Sequence, residues 1–167
     1  QASRFWAVLI GIDVYQSQDH LDGCVSDASM MRKFLIQELK VPEHCIQCLL
    51  GSNNPIRGSP MKPSCTNIVD MLYSLIGNVQ IKSSDNIVIY YAGHRLSYYC
   101  SLAGQCTATG SSTCLSAGVC PIQAMCPIDC DTKNADGSLI SDISDRELNT
   151  LFEEIVCAKG RDLKITL

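Results

Sequence analysis

His94 closes the apolar run Asn86-Ile87-Val88-Ile89-Tyr90-Tyr91-Ala92-Gly93, and no other residue has a type and position so suited to chemistry. Five residues of that run are β-branched or aromatic, and polar Ser83-Ser84-Asp85 precede it. The pattern predicts a buried strand of a parallel sheet. An imidazole just past the carboxyl end of such a strand lies where open α/β sheets hold their ligands. A loop histidine with no task fits the spacing equally well. Thiols are the natural partners to weigh, because the chain carries eleven cysteines. A thiolate beside an imidazolium has a lowered pKa and is a strong nucleophile.

Other chemistries find less support. The turn after the first apolar strand reads Gly11-Ile12-Asp13-Val14-Tyr15, with neither of the glycine-rich phosphate patterns. No G-x-S-x-G elbow marks a serine hydrolase. The C-x-x-C pair Cys45/Cys48 lacks a second pair to complete a zinc set, and its apolar setting favours buried thiols. Net charge is −4 and no Lys/Arg cluster interleaves with aromatics, which argues against a nucleic-acid surface. No apolar run approaches the ~20 residues of a membrane span, and no basic-plus-apolar leader opens the chain. Cys100, Cys106, Cys114, Cys120, Cys126 and Cys130 crowd one small-residue segment. That density suits disulfides in a secreted protein and free thiols or metal in a cytosolic one, so the compartment stays open.

The elements that must position these groups alternate in type. Phe5–Ile12 reads as a strand, and a helix opens near Asp27 with Ala28, Met31, Phe34, Leu35 and Leu39 on its apolar face, stopped by Pro42. Cys45–Leu50 is a second strand. Thr66 is placed to cap a helix whose apolar side is Ile68, Met71, Leu72, Leu75, Ile76 and Val79. The Asn86–Tyr91 strand follows, and then a cysteine-rich insert, residues 96–130. Ser144 and Glu147 have capping-box spacing ahead of Leu148, Leu151, Phe152 and Ile155. Gly160 ends that helix, and Leu163–Leu167 begins a fourth strand. Residues 1–167 thus read as a single α/β domain with a parallel, doubly wound sheet of right-handed crossovers. The last strand would leave an open sheet edge.

Several of these segments resemble a known family. Trp6-Ala7-Val8-Leu9-Ile10-Gly11-Ile12-Asp13-Val14-Tyr15, Leu21-Asp22-Gly23-Cys24-Val25-Ser26-Asp27-Ala28 and Tyr90-Tyr91-Ala92-Gly93-His94 are similar to the caspase-domain proteins of fungi, relatives of the metacaspases. Cys126-Pro127-Ile128-Asp129 through Asp142-Ile143-Ser144-Asp145-Arg146-Glu147-Leu148 fits the same pattern. The resemblance implies a caspase-like three-layer sandwich, a mostly parallel sheet of about four strands flanked by helices. It implies a cysteine endopeptidase in which the Gly93-His94 pair supplies the dyad histidine. Asp27 matches an acidic wall of the pocket for a basic P1 side chain, where a carboxylate selects Arg or Lys by charge pairing. Capping of the helix is the alternative task for Asp27. A cytoplasmic setting is the family's; a secreted one follows from the cysteine content.

This chain departs from the family in two places. The family continues the fourth strand into Asp-x-Cys-His-x-Gly, whose cysteine is the nucleophile, and residues 1–167 stop short of it. Arg95 stands where the family has a glycine whose N–H helps hold the oxyanion. Cys24 is the best surrogate thiol, because its motif lies beside the active end of the sheet in this family. Calcium, which many metacaspases use, would fall to Asp129, Asp131, Asp136, Asp142 and Asp145. Their spacing fits no loop motif, and solvated carboxylates are the alternative, so no cofactor is assigned from the residues themselves. The expected readings are therefore a peptidase domain without its nucleophile, a non-catalytic caspase-fold protein, or a secreted cysteine-rich binding or defence protein. The partner is a peptide or protein, with a homodimer or a completing chain joined at the fourth-strand edge.

Overall fold

The computed structural model describes residues 4–53, 61–99, 121–160 and 164–167. Four parallel strands form the main sheet: β1 (Phe5–Ile12), β2 (Ile46–Gly51), β3 (Asn86–Ala92) and β7 (Lys164–Thr166), in the order β2-β1-β3-β7. Trp6 through Ile12 are apolar or glycine on both sides of β1 because both faces of that strand are covered. Helix α1 (Cys24–Gln37) links β1 to β2, and α2 (Cys65–Gly77) links β2 to β3. Helix α3 (Asp145–Lys159) precedes β7. The connection through α1 runs toward the β2 edge and the other two run the opposite way. Right-handed crossovers therefore put α1 alone on one face and α2 with α3 on the other. Direct packing of α2 against α3 agrees. This is the three-layer, caspase-like arrangement that the motifs imply.

A second, antiparallel sheet pairs β4 (Arg95–Tyr99) with β5 (Pro121–Met125), and β5 with the short β6 (Ile143–Ser144). The two flanks of the cysteine-rich segment are thus paired strands, while residues 100–120 lie outside the described residues.

Local chemistry sets the helix ends, partly as expected. Ser144 and Glu147 form the reciprocal capping box, and Gly160 closes α3 at φ 112°. At α2 the cap is Ser64 rather than Thr66, which is already helical; Ser64 Oγ accepts from Asn67 N–H at 3.2 Å. Asp129 Oδ1 adds a second acceptor there, taking Cys65 N–H at 2.9 Å. Helix α1 starts at Cys24, three residues before Asp27, and ends at Gln37, well before Pro42. Lys40, at φ 55°, turns the chain out of the helix. Leu35 of the expected apolar face is buried, but Phe34 and Leu39 are exposed. Val79 lies beyond α2 and is also exposed.

Candidate active site

The Gly93-His94 pair joins β3 to β4 at the carboxyl end of the main sheet. Two tyrosine hydroxyls hold the backbone of this turn. His94 N–H donates to Tyr15 Oη at 2.7 Å. The single proton of Tyr91 Oη lies between the carbonyls of His94 (2.6 Å) and Cys126 (3.0 Å), and the same oxygen accepts from Cys126 N–H at 3.1 Å. Cys126 N–H also reaches the His94 carbonyl at 3.0 Å. A Cβ on Gly93 would stand 2.5 Å from Tyr15 Oη and 2.7 Å from Tyr91 Oη, so only glycine leaves room for both hydroxyls. Burial pushes both phenols above their ordinary range, and they stay neutral hydrogen-bonding groups.

The imidazole is oriented as well. Its ring packs on Tyr15, centroids 4.7 Å apart, and Nε2 lies 2.8 Å from the Asp19 carbonyl oxygen. A carbonyl only accepts, so Nε2 must carry the hydrogen. In the neutral ring Nδ1 is then the basic nitrogen, and it bonds no described residue. The acceptor arrives on the loop after β1, which is tied on both sides of it: Asp13 N–H and Val14 N–H donate to the Gly51 carbonyl and Gln16 N–H to the Ile128 carbonyl before Asp19, and Leu21 N–H donates to the Asp13 carbonyl after it.

Asp13 was not singled out by sequence reasoning, and neither were Tyr15, Tyr91 and the Asp19 carbonyl. Asp13 Oδ1 accepts from Cys24 N–H (2.7 Å) and Val25 N–H (3.2 Å), and so caps α1 from outside the helix. The helix has no side-chain cap of its own, so capping is not the task of Asp27. Asp27 is exposed on the first turn and lines a cavity of about 290 Å³ with Met30, Met31, Phe34 and Tyr90. The Asp-after-strand pattern was visible for Asp13. Nothing local marks a backbone carbonyl as a ring acceptor.

Cys24 sits half-buried at the start of α1. Burial first, and then the carboxylates of Asp13 and Asp27, push its thiol up, which favours the thiol over the thiolate. Three of the acidic residues considered for calcium are engaged in other bonds. Asp129 caps α2, Asp142 accepts from Tyr98 Oη at 3.3 Å, and Asp136 accepts from Ser138. Among the described residues no three His, Cys, Asp or Glu side chains converge as a metal site. As placed, these carboxylates do not fit such an ion. No described helix is long and apolar enough to cross a membrane.

A second cavity, about 400 Å³, opens beside the outer edge of β3. Ile89, Tyr91, Met125, Leu148 and Leu167 give it an apolar wall. Gln123 Oε1 and Asp145 Oδ1 also belong to it, and both are buried acceptors without a hydrogen-bond donor among the described residues.

The Tyr15 hydroxyl can be tested by itself. Tyr15→Phe removes the acceptor of His94 N–H and should cost about 1 kcal/mol of stability. It should also shift the His94 imidazole resonances in an NMR titration, whereas the exposed Tyr73→Phe should leave them in place.

Comparison with known proteins agrees with this geometry. The family model of the metacaspase, peptidase C14 domain matches residues 6–157. Metacaspase-2 of Arabidopsis thaliana is 30% identical over 89 residues, which cover 53% of this chain and 20% of that protein. Metacaspase-1 of Scheffersomyces stipitis is 28% identical over 93 residues, 56% of this chain and 22% of that one. The match thus spans about a fifth of the length of these curated relatives. The crystal structure of a Geobacter sulfurreducens protein superimposes on 97% of this chain and 48% of its own, with a TM-score of 0.59 at 12% identity, a likeness of fold. With its family motifs ordered along a caspase-like sheet, the chain belongs to the metacaspase, peptidase C14 domain family.

Proposed function

We propose that this chain is the histidine-bearing part of a metacaspase-like cysteine endopeptidase, and that residues 1–167 by themselves do not hydrolyse peptides. His94 Nδ1 would accept the thiol proton, and the resulting imidazolium would return it to the leaving amine. The observation that carries this reading is the ladder between β3 and β7. Val88 stands opposite Thr166, so a parallel extension of β7, by this chain or another, runs past Ile89–Ala92 and reaches His94 about five residues beyond Leu167. That path enters the cavity where Gln123 Oε1 and Asp145 Oδ1 lack donors, and backbone N–H groups of an added strand would supply them. A thiol at the end of such a strand would meet the prepared imidazole. The raised Cys24 thiol supports the inactivity of residues 1–167 alone. Asp27, in a cavity otherwise lined by Met30, Met31, Phe34 and Tyr90, suits a basic P1 side chain with an aliphatic stem.

The test uses fluorogenic Arg and Lys peptides, with and without calcium. Residues 1–167 should give no turnover, and turnover abolished by His94→Ala would overturn their proposed inactivity. A longer chain that includes the added strand should cleave these peptides, with His94→Ala lowering kcat by about 10²–10⁴-fold. Full activity of that variant would remove His94 from the dyad. Asp27→Asn should raise KM for Arg peptides more than it changes kcat. A non-catalytic, strand-recruiting role is the second reading, favoured by the exposed Lys164 and Thr166 at the β7 edge. A longer chain that binds peptide but never cleaves it would establish that role.

A further inference from the structure

Behind the His94 turn, Cys126 and Cys130 are both buried, at 0% and 1% exposure, as free thiols four residues apart whose side chains interact with each other. The intervening chain is already folded back, with Cys130 N–H donating to the Pro127 carbonyl at 3.1 Å. Both residues are tied to the site. Cys126 contacts the His94 carbonyl and the Tyr91 hydroxyl through its backbone. The Gln18 side chain reaches the Cys126 thiol, and Ser17 Oγ donates to the Cys130 carbonyl. Residues 17 and 18 immediately precede Asp19, whose carbonyl orients the imidazole.

We propose that Cys126 and Cys130 are an oxidation site and form a disulfide that staples the support of His94. The oxidant class is a small-molecule disulfide such as glutathione disulfide. One protein thiolate attacks it and releases one glutathione thiol, giving a mixed disulfide. The second protein sulfur then displaces the other glutathione, so two protein thiols lose two electrons and two protons while the oxidant becomes two thiols. Buried, protonated thiols exchange slowly in the folded chain, so the bond forms during folding and is sheltered afterwards. No third ligand stands beside the pair among the described residues, which makes a disulfide the better fit than a metal. The bond does not depend on His94 being catalytic.

Refolding the chain in a glutathione redox buffer, alkylating the remaining thiols and mapping the peptides tests this. Cleavage before Asp129 separates the two cysteines, so a 126–130 bond appears as two fragments joined until reduction. The expected result is that bond, formed alone or with others elsewhere, and a melting temperature raised by roughly 5 °C. Cys126→Ser/Cys130→Ser should lose that increment. Alkylation of both cysteines after oxidative refolding, or linkage of either one to another cysteine, would overturn the proposal. The mapping is made on the unmodified sequence and stands even if the double variant folds poorly.

Discussion

Asp85→Ala is expected to lower the free energy of unfolding by about 3–5 kcal/mol at pH 7. The carboxylate is 2% exposed and lies at the amino-terminal end of the sheet, far along β3 from His94. Oδ2 accepts from Trp6 Nε1–H at 3.0 Å, from Lys82 N–H at 2.9 Å and from Arg4 Nη2 at 3.1 Å, and Oδ1 accepts from Arg4 N–H at 3.3 Å. Arg4, half-exposed, turns to water when the carboxylate is removed, but the Trp6 indole N–H stays buried without an acceptor and Lys82 N–H loses its partner. Asp85→Asn keeps an acceptor oxygen and loses the charge, so it should cost less than half as much.

The effect also has a pH signature. Burial raises the Asp85 carboxyl, but the hydrogen bonds from Lys82, Trp6 and Arg4 outweigh it and hold the group below its ordinary value. A carboxyl whose folded pKa is depressed contributes its stability above the unfolded pKa, near 3.9, and loses it as pH falls toward the folded value. Urea titrations at pH 7, 4 and 3 should therefore show the gap between the native chain and Asp85→Asn narrowing with acid. A gap that widened would reverse the sign and sink this account. His94 resonances should stay unchanged, because the two sites occupy opposite ends of the strand.

Gly11→Ala is the second large effect, an expected loss of about 2–4 kcal/mol. A Cβ there would stand 2.6 Å from the Cys24 carbonyl oxygen, 2.9 Å from Ala28 Cβ and 3.0 Å from Val25 Cα. Two of those three are helix backbone, which no rotamer change can move aside. Helix α1 must lift from the sheet, and the Asp13 bonds to Cys24 and Val25 N–H stretch with it. Adding Ala28→Gly removes only the Ala28 contact and should restore less than half of the loss. Thermal unfolding measures the cost, and amide exchange should show α1 protection falling before that of α2 and α3. Full rescue by Ala28→Gly would mean that the helix backbone yields.

Much of this architecture was legible along the chain because the signals are short-range. Continuous apolar residues in Phe5–Ile12 announce a strand covered on both faces, and Ser144 with Glu147 announces a helix start that the structure reproduces. The apolar face of α1 was misread at Phe34 and Leu39. A periodic stripe shows which side of a helix is apolar, but not how much sheet lies beneath it. The cap of α2 moved from Thr66 to Ser64 because a hydroxyl caps only from the residue whose backbone is still extended, and that conformation is settled as the chain enters the helix.

By itself the sequence determined the order of the four main-sheet strands and the three helices, the glycine-histidine end of β3 and the family, but it did not mark the antiparallel strands β4, β5 and β6. Tertiary structure alone decided the site around that histidine: Tyr15 against its backbone, Tyr91 between it and Cys126, the Asp19 carbonyl on Nε2 and Asp13 across the start of α1. Periodicity and capping act over three or four residues, and so leave a pattern in neighbouring letters. Tyr15 and Asp19 meet His94 across 79 and 75 residues, and their meeting depends on strand register and loop closure. A hydrogen bond made through a backbone carbonyl also leaves no mark on residue identity, since every residue carries one.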